Sequence, residues 1–85
     1  MTEFTYKITD SEGIHARPAG LLVKEANQYK SKISIIKGTK TADAKKIFSL
    51  MGLAAKQGEE VTVSIDGEDE ATAAEALKSF FSANL

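Results

Sequence analysis

Phe4, Tyr6 and Ile8 alternate with Thr5, Lys7 and Thr9. A period of two puts one face of an extended chain in the core and the other in water, so this stretch predicts a strand. Asp10-Ser11-Glu12-Gly13 carries no large apolar residue and reads as a turn. The period then changes. Leu22, Val23, Ala26 and Tyr29 recur at helical spacing and predict a first helix from about Ala16 to about Tyr29. Ile33, Ile35 and Ile36 mark a second strand, Lys37-Gly38-Thr39-Lys40 a hairpin connection, and Thr41-Ala42-Asp43 a short third strand. A second helix is expected from about Ala44 to Lys56, ended by Gly58. Val61, Val63 and Ile65 alternate with Thr62, Ser64 and Asp66, the cleanest strand pattern in the chain. Beyond Gly67, Asp69-Glu70 opens a last helix with acidic charge at its positive end. Its buried stripe holds Ala73, Leu77 and either Phe80 or Phe81.

The order βαββαβα contains two β-α-β units. They predict an α+β fold, a four-stranded antiparallel sheet with three helices on one face. Eighty-five residues fit one domain, 1–85. A chain of this size buries roughly 60–65% of its unfolded surface, enough for a modest core but not for a deep substrate cavity. With no cysteine there is no disulfide, thiol chemistry or cysteine zinc site, and a single histidine argues against a transition-metal centre. No apolar run approaches the roughly 20 residues of a membrane span. Met1-Thr2-Glu3-Phe4 has no signal-peptide pattern, so a cytoplasmic location is expected.

Charge changes the picture more than composition does. The formal net charge is −1, but residues 1–58 hold ten Lys/Arg against five Asp/Glu, and residues 59–85 hold one against seven. The basic part can steer an anion or an acidic partner by long-range attraction. The lysines are scattered and lack interleaved aromatic platforms, which argues against nucleic acid.

The candidate chemistry sits in Gly13-Ile14-His15-Ala16-Arg17-Pro18-Ala19-Gly20, which holds the only histidine, arginine and proline of the chain. Arginine offers a rigid planar fork that matches phosphate or carboxylate oxygens, which lysine does not. Histidine exchanges a proton near neutral pH and can act as a nucleophile. Pro18 suits the first turn of a helix, which puts His15 at or near the N-cap. The N–H groups of Ala16 and Arg17 then point outward at the positive end of the helix dipole, a ready anion site. The same dipole disfavours a protonated imidazole. Spacing therefore identifies a place where an anion is made or held. No Gly-rich loop with Lys-Ser/Thr accompanies it, and no carboxylate cluster near His15 is expected to hold magnesium.

Gly13-Ile14-His15-Ala16-Arg17-Pro18-Ala19 resembles the active-site signature of the HPr family, the histidine phosphocarriers of the bacterial phosphoenolpyruvate:sugar phosphotransferase system. The resemblance runs from the first strand to the last helix and implies an open-faced β-sandwich. It implies that His15 takes a phosphoryl group from Enzyme I on Nδ1 and passes it to the IIA domains of sugar permeases. The chain would then be a stoichiometric carrier and no enzyme, with no cofactor or metal, working as a monomer. Ala16, Arg17 and Pro18 would hold the phosphate, and Arg17 would stabilise the oxygens during transfer.

The second helix is expected to extend that site. The run Ile47, Phe48, Leu50, Met51, Leu53 and Ala54 has too many apolar residues for one side of a short helix. Periodicity alone assigns Ile47, Leu50, Met51 and Ala54 to the core. The family resemblance instead implies that Leu50 and Leu53 face inward, with a partner surface of Ala16, Arg17, Gly20, Leu21, Ile47, Phe48 and Met51. On that second assignment Ile47 and Met51 face out, and it is the one expected to hold. One position departs from the family pattern. HPr proteins usually carry a serine that a kinase phosphorylates where this chain has Lys46. Lysine has no hydroxyl to phosphorylate, and its charge opposes the dipole there, at about a few tenths of a kcal/mol. Ser49 has no feature that recommends it as a substitute. Two other readings remain open at the sequence level. One is a paralogous carrier of a nitrogen-related or dihydroxyacetone-linked chain. The other is a regulatory binding module without phosphotransfer, against which the retention of both His15 and Arg17 argues.

Overall fold

The computed structural model describes residues 1–85. Its elements are β1 (Thr2–Lys7), α1 (Ala16–Ala26), β2 (Lys32–Lys37), β3 (Lys40–Asp43), α2 (Ile47–Gly52), β4 (Glu60–Asp66) and α3 (Glu70–Asn84). The strands form one antiparallel sheet in the order β1-β4-β2-β3. Val63 lies opposite Phe4 on one side and Ile35 on the other, so the three strand patterns line up on one face. That face is covered by the helices. The other carries Thr5, Ser34, Thr62 and Ser64 and stays open, giving the α+β open-faced sandwich the alternation predicts.

The core is closed by α3. Ala73, Leu77 and Phe81 are fully buried, and Phe80 only partly, which settles the choice between the two phenylalanines. Phe81 meets Tyr6 and Phe4 edge to face, with centroids 5.3 and 6.0 Å apart. The Asp69 carboxylate does not cap its own helix. It accepts from the main-chain N–H groups of Lys30 and Ser31 and from the Ser31 hydroxyl, and so ties the α1–β2 turn to α3. Those bonds hold its carboxyl below the ordinary range, the Ser31 hydroxyl having the largest effect. Glu70 takes a hydroxyl hydrogen bond from Thr2 (2.5 Å) and pairs with the N-terminal ammonium (3.1 Å), and these contacts lower its carboxyl likewise.

Two helices are shorter than their patterns suggest. α1 ends at Ala26 rather than near Tyr29, because Gln28 and Tyr29 donate to carbonyls three residues back and tighten the chain into a turn. α2 spans Ile47–Gly52 rather than residues 44–56. At its start, Ala44 N–H donates to Ile33 in the sheet, and Lys45 N–H to the Asp43 carboxylate at 2.9 Å, which leaves no helical turn there. At its end, Ala54 takes the left-handed conformation with φ 54°, and the Lys37 ammonium bonds its carbonyl at 3.0 Å. Gly58, with φ 86°, shapes the later turn before β4 instead of ending the helix. Leu50 and Leu53 are buried while Met51 and Ala54 are exposed, as the resemblance implies and periodicity does not, but Ile47 is half-buried and packs against the core instead of facing out. No helix is long and apolar enough to cross a membrane.

Candidate functional site

The site is built where β1 hands over to α1. Ile14 is 6% exposed, and its N–H donates to the Ala55 carbonyl at 3.0 Å, which pins the chain just ahead of the helix. His15 follows as the N-cap in extended conformation (φ −106°, ψ −175°), and its carbonyl accepts from Ala19 at 2.9 Å. Its side chain makes no capping bond and stays partly exposed. Pro18 and Ala19 are buried behind it and fix the first turn. Pro18 has no N–H, so it contributes a wall to an anion site and no donor. The N–H groups of Ala16 and Arg17 make no main-chain hydrogen bond and lie at the exposed helix end. Arg17 takes part in none of the ion pairs of the chain, and the first turn of α1 holds no acidic residue. The guanidinium fork and the two N–H groups are thus free for an incoming anion.

These residues border an open cleft of about 400 Å³. His15, Arg17, Pro18 and Leu21 form one wall, Asp10, Ser11 and Glu12 another, and Ala83 and Asn84 of α3 a third. The Asp10–Glu12 stretch reads in the sequence only as a turn. In the fold its two carboxylates come to the imidazole: Nε2 of His15 lies 3.4 Å from Glu12 Oε2 and 3.9 Å from Asp10 Oδ1. The positive helix end is therefore not the only field acting on the ring. Nor did the sequence announce the end of α3. The main-chain oxygen of Leu85 accepts from Thr9 N–H (2.6 Å), Asp10 N–H (2.8 Å) and the Thr9 hydroxyl (3.0 Å). A contact across 76 residues leaves no local pattern to read.

Beside the cleft lies an apolar surface. Phe48 is 86% exposed, Leu21 43% and Met51 42%. Ile47 is half-buried, and its Cδ1 comes within 3.8 Å of where a Cβ on Gly20 would stand. That is an ordinary van der Waals distance, so α1 and α2 adjoin here, and Gly20, Leu21, Ile47, Phe48 and Met51 come from the two helices together. Lys46 is the exposed N-cap of α2, with no side-chain capping bond. The Ser49 hydroxyl accepts from Asp43 N–H at 2.9 Å and is only partly exposed.

Residues 2–83 match the family model described as the PTS HPr component phosphorylation site. The chain belongs to the HPr family. It is 44% identical over 78 residues to the phosphocarrier protein HPr of Mycoplasma capricolum, covering 92% of this chain and 88% of that one. It is 48% identical over 71 residues to the HPr of Haemophilus influenzae, covering 84% of each. Among solved structures, a mycoplasma histidine-containing phosphocarrier protein superimposes with a TM-score of 0.91 at 42% identity, covering 93% of this chain and 90% of that one. An HPr dimer from Thermoanaerobacter tengcongensis matches with a TM-score of 0.77 at 38% identity, covering 98% and 95%. The chain is an HPr phosphocarrier of the phosphotransferase system, with the open-faced fold of its relatives.

Proposed function

We propose that His15 accepts a phosphoryl group from phospho-Enzyme I on Nδ1 and hands it to IIA domains of sugar permeases. The observation that carries this reading is the cleft itself. A partly exposed imidazole, an unpaired arginine and two unpartnered N–H groups meet at one helix end. In the first step the Nδ1 electron pair attacks phosphorus while the bond from phosphorus to its Enzyme I donor atom breaks and that pair leaves with Enzyme I. In the second a nucleophilic side chain of the IIA domain bonds phosphorus while the Nδ1–P bond breaks and its pair returns to the ring. Nucleophilic histidine divides one long transfer into two short ones. Ala16 and Arg17 N–H groups and the Arg17 guanidinium hold the phosphoryl oxygens as their charge redistributes, with Pro18 as a wall. Ala16, Arg17, Gly20, Leu21, Ile47, Phe48 and Met51 dock both partners. The protein works as a monomeric, cytoplasmic, single-domain shuttle over residues 1–85.

The test is direct. The protein is mixed with phosphoenolpyruvate, magnesium and a purified sugar-type Enzyme I, and intact mass is read under alkaline conditions. One acid-labile phosphate, absent in His15→Ala, is expected. No phosphate from an Enzyme I that charges another HPr would overturn the reading and point to a paralogous chain or a binding-only module.

A further inference from the structure

The charges around the imidazole are placed on one side of it. Both Glu12 and Asp10 approach Nε2, at 3.4 and 3.9 Å. We propose that Glu12 and Asp10 are positioning residues of the transfer: they keep the proton on Nε2, leave the electron pair on Nδ1, and offset the positive charge the ring gains when Nδ1 is phosphorylated. This rests on the phosphocarrier reading of His15.

A neutral imidazole carries one proton, and its surroundings decide which nitrogen holds it. An ionised carboxylate only accepts. Beside Nε2 it attracts an N–H and repels a bare electron pair. The tautomer with Nε2–H is thereby favoured, and its nucleophilic pair sits on Nδ1. When Nδ1 bonds phosphorus, no proton leaves the ring. Nε2 keeps its hydrogen, the ring becomes positive, and the carboxylates face that charge. When the Nδ1–P bond breaks, the pair returns to Nδ1 and the ring is neutral again. A carboxylate that orients a catalytic histidine and steadies its cation plays the same part in hydrolytic triads.

The Asp10 carboxylate and the main chain of Glu12 are held by the loop. Asp10 N–H donates to Leu85 at 2.8 Å, and Asp10 Oδ1 accepts from Glu12 N–H at 2.8 Å. Gly13 N–H donates to the Asp10 carbonyl at 3.0 Å, and His15 N–H to the Gly13 carbonyl at 3.1 Å. The end of α3 therefore sets the loop, and the loop sets the ring. The other charge facing the cleft is Arg17 of α1, since α3 contributes only Ala83 and Asn84. Both carboxylates also repel an incoming phosphoryl group, but across the width of the ring, whereas they meet the Nε2 edge directly. Water screens Glu12, whose side chain is 71% exposed, so each charge has a modest effect.

The test uses Glu12→Gln, Asp10→Asn and the double variant. Each keeps an oxygen acceptor, including the one that closes the turn through Glu12 N–H, and loses only the charge. ¹⁵N NMR of the neutral His15 ring reads the tautomer, and rapid-quench kinetics reads transfer from phospho-Enzyme I. The expected result is a ring mainly in the Nε2–H form in the parent and a population moved toward Nδ1–H in the variants. Transfer slows about two- to fivefold for Glu12→Gln and further in the double variant, at low salt. Unchanged tautomer populations in a folded double variant would overturn the proposal, and so would faster transfer. If the parent accepts no phosphate at all, the carrier reading fails, while the NMR still reports whether the carboxylates set the ring.

Discussion

Gly13 lies against the main chain at Ala55 with no room for a side chain. A Cβ on Gly13 would collide with the Ala55 carbonyl oxygen and stand 2.8 Å from Lys56 Cα, and the residue already has φ +68°. The same carbonyl accepts from Ile14 at 3.0 Å, so the close approach delivers His15 to its place. Gly13→Ala combines a left-handed backbone with a clash against main chain. It should cost about 2 kcal/mol or more of stability, read as a lower urea midpoint with unchanged slope. Transfer should slow as well, since the loop that sets the ring must move.

His15→Ala should leave stability within about 0.5 kcal/mol of the parent by thermal unfolding, because the imidazole makes no capping bond and is partly exposed. Phosphate acceptance should vanish. Arg17→Lys keeps the charge and loses the bidentate fork, so transfer should fall about tenfold with melting unchanged. Transfer at the parent rate would show that the helix N–H groups suffice.

Phe48→Ala removes a side chain that is 86% exposed. Its cost to folding should be within about 0.5 kcal/mol. Binding to phospho-Enzyme I should weaken about tenfold or more, as expected for an aromatic anchor at the centre of an interface. Isothermal titration of the parent and the variant separates the two effects.

Ala54 carries φ 54° just past the end of α2, with its side chain in water. Glycine takes that conformation without the Cβ penalty, so Ala54→Gly should stabilise the fold by about 0.5–1 kcal/mol. A raised melting temperature checks it. A lowered one would show that the flexibility gained by the unfolded chain outweighs the strain relieved.

Asp69, Glu70 and Glu59 are all held below the ordinary carboxylate range, by Ser31, Thr2 and the Lys56 main-chain N–H respectively. A group depressed in the folded state stabilises the fold at any pH above its unfolded value. That contribution is lost as pH falls through the folded value. Stability should be level through neutrality and decline from about pH 4 downward. Urea midpoints against pH should show this. Ser31→Ala removes the strongest donor to Asp69 and should flatten part of the acid slope.

The strands were legible because each is apolar on one face alone, and a period of two has few other readings. His15, Arg17 and Pro18 were legible because rare residue types crowd into four positions. α2 was over-extended for a physical reason. Ala44, Ala54 and Ala55 suit a helix by propensity, but bonds from Ala44 to Ile33 and from Lys37 to Ala54 bend the chain out of it. Asp10 and Glu12 look like ordinary turn residues until the loop folds back on His15. Asn84 and Leu85 carry no local mark of their place beside Asp10.

The oxygen of Leu85 has a consequence for the order of events during synthesis. Thr9 and Asp10, which lead into the acceptor loop, find their hydrogen-bond partner 75 or more residues later. β1 pairs only with β4, which begins at Glu60. A ribosome-bound chain short of residue 85 holds the whole His15 signature but lacks the oxygen that anchors Thr9 and Asp10. The loop that precedes His15 therefore gains this anchor only once α3 has folded back onto the start of the chain.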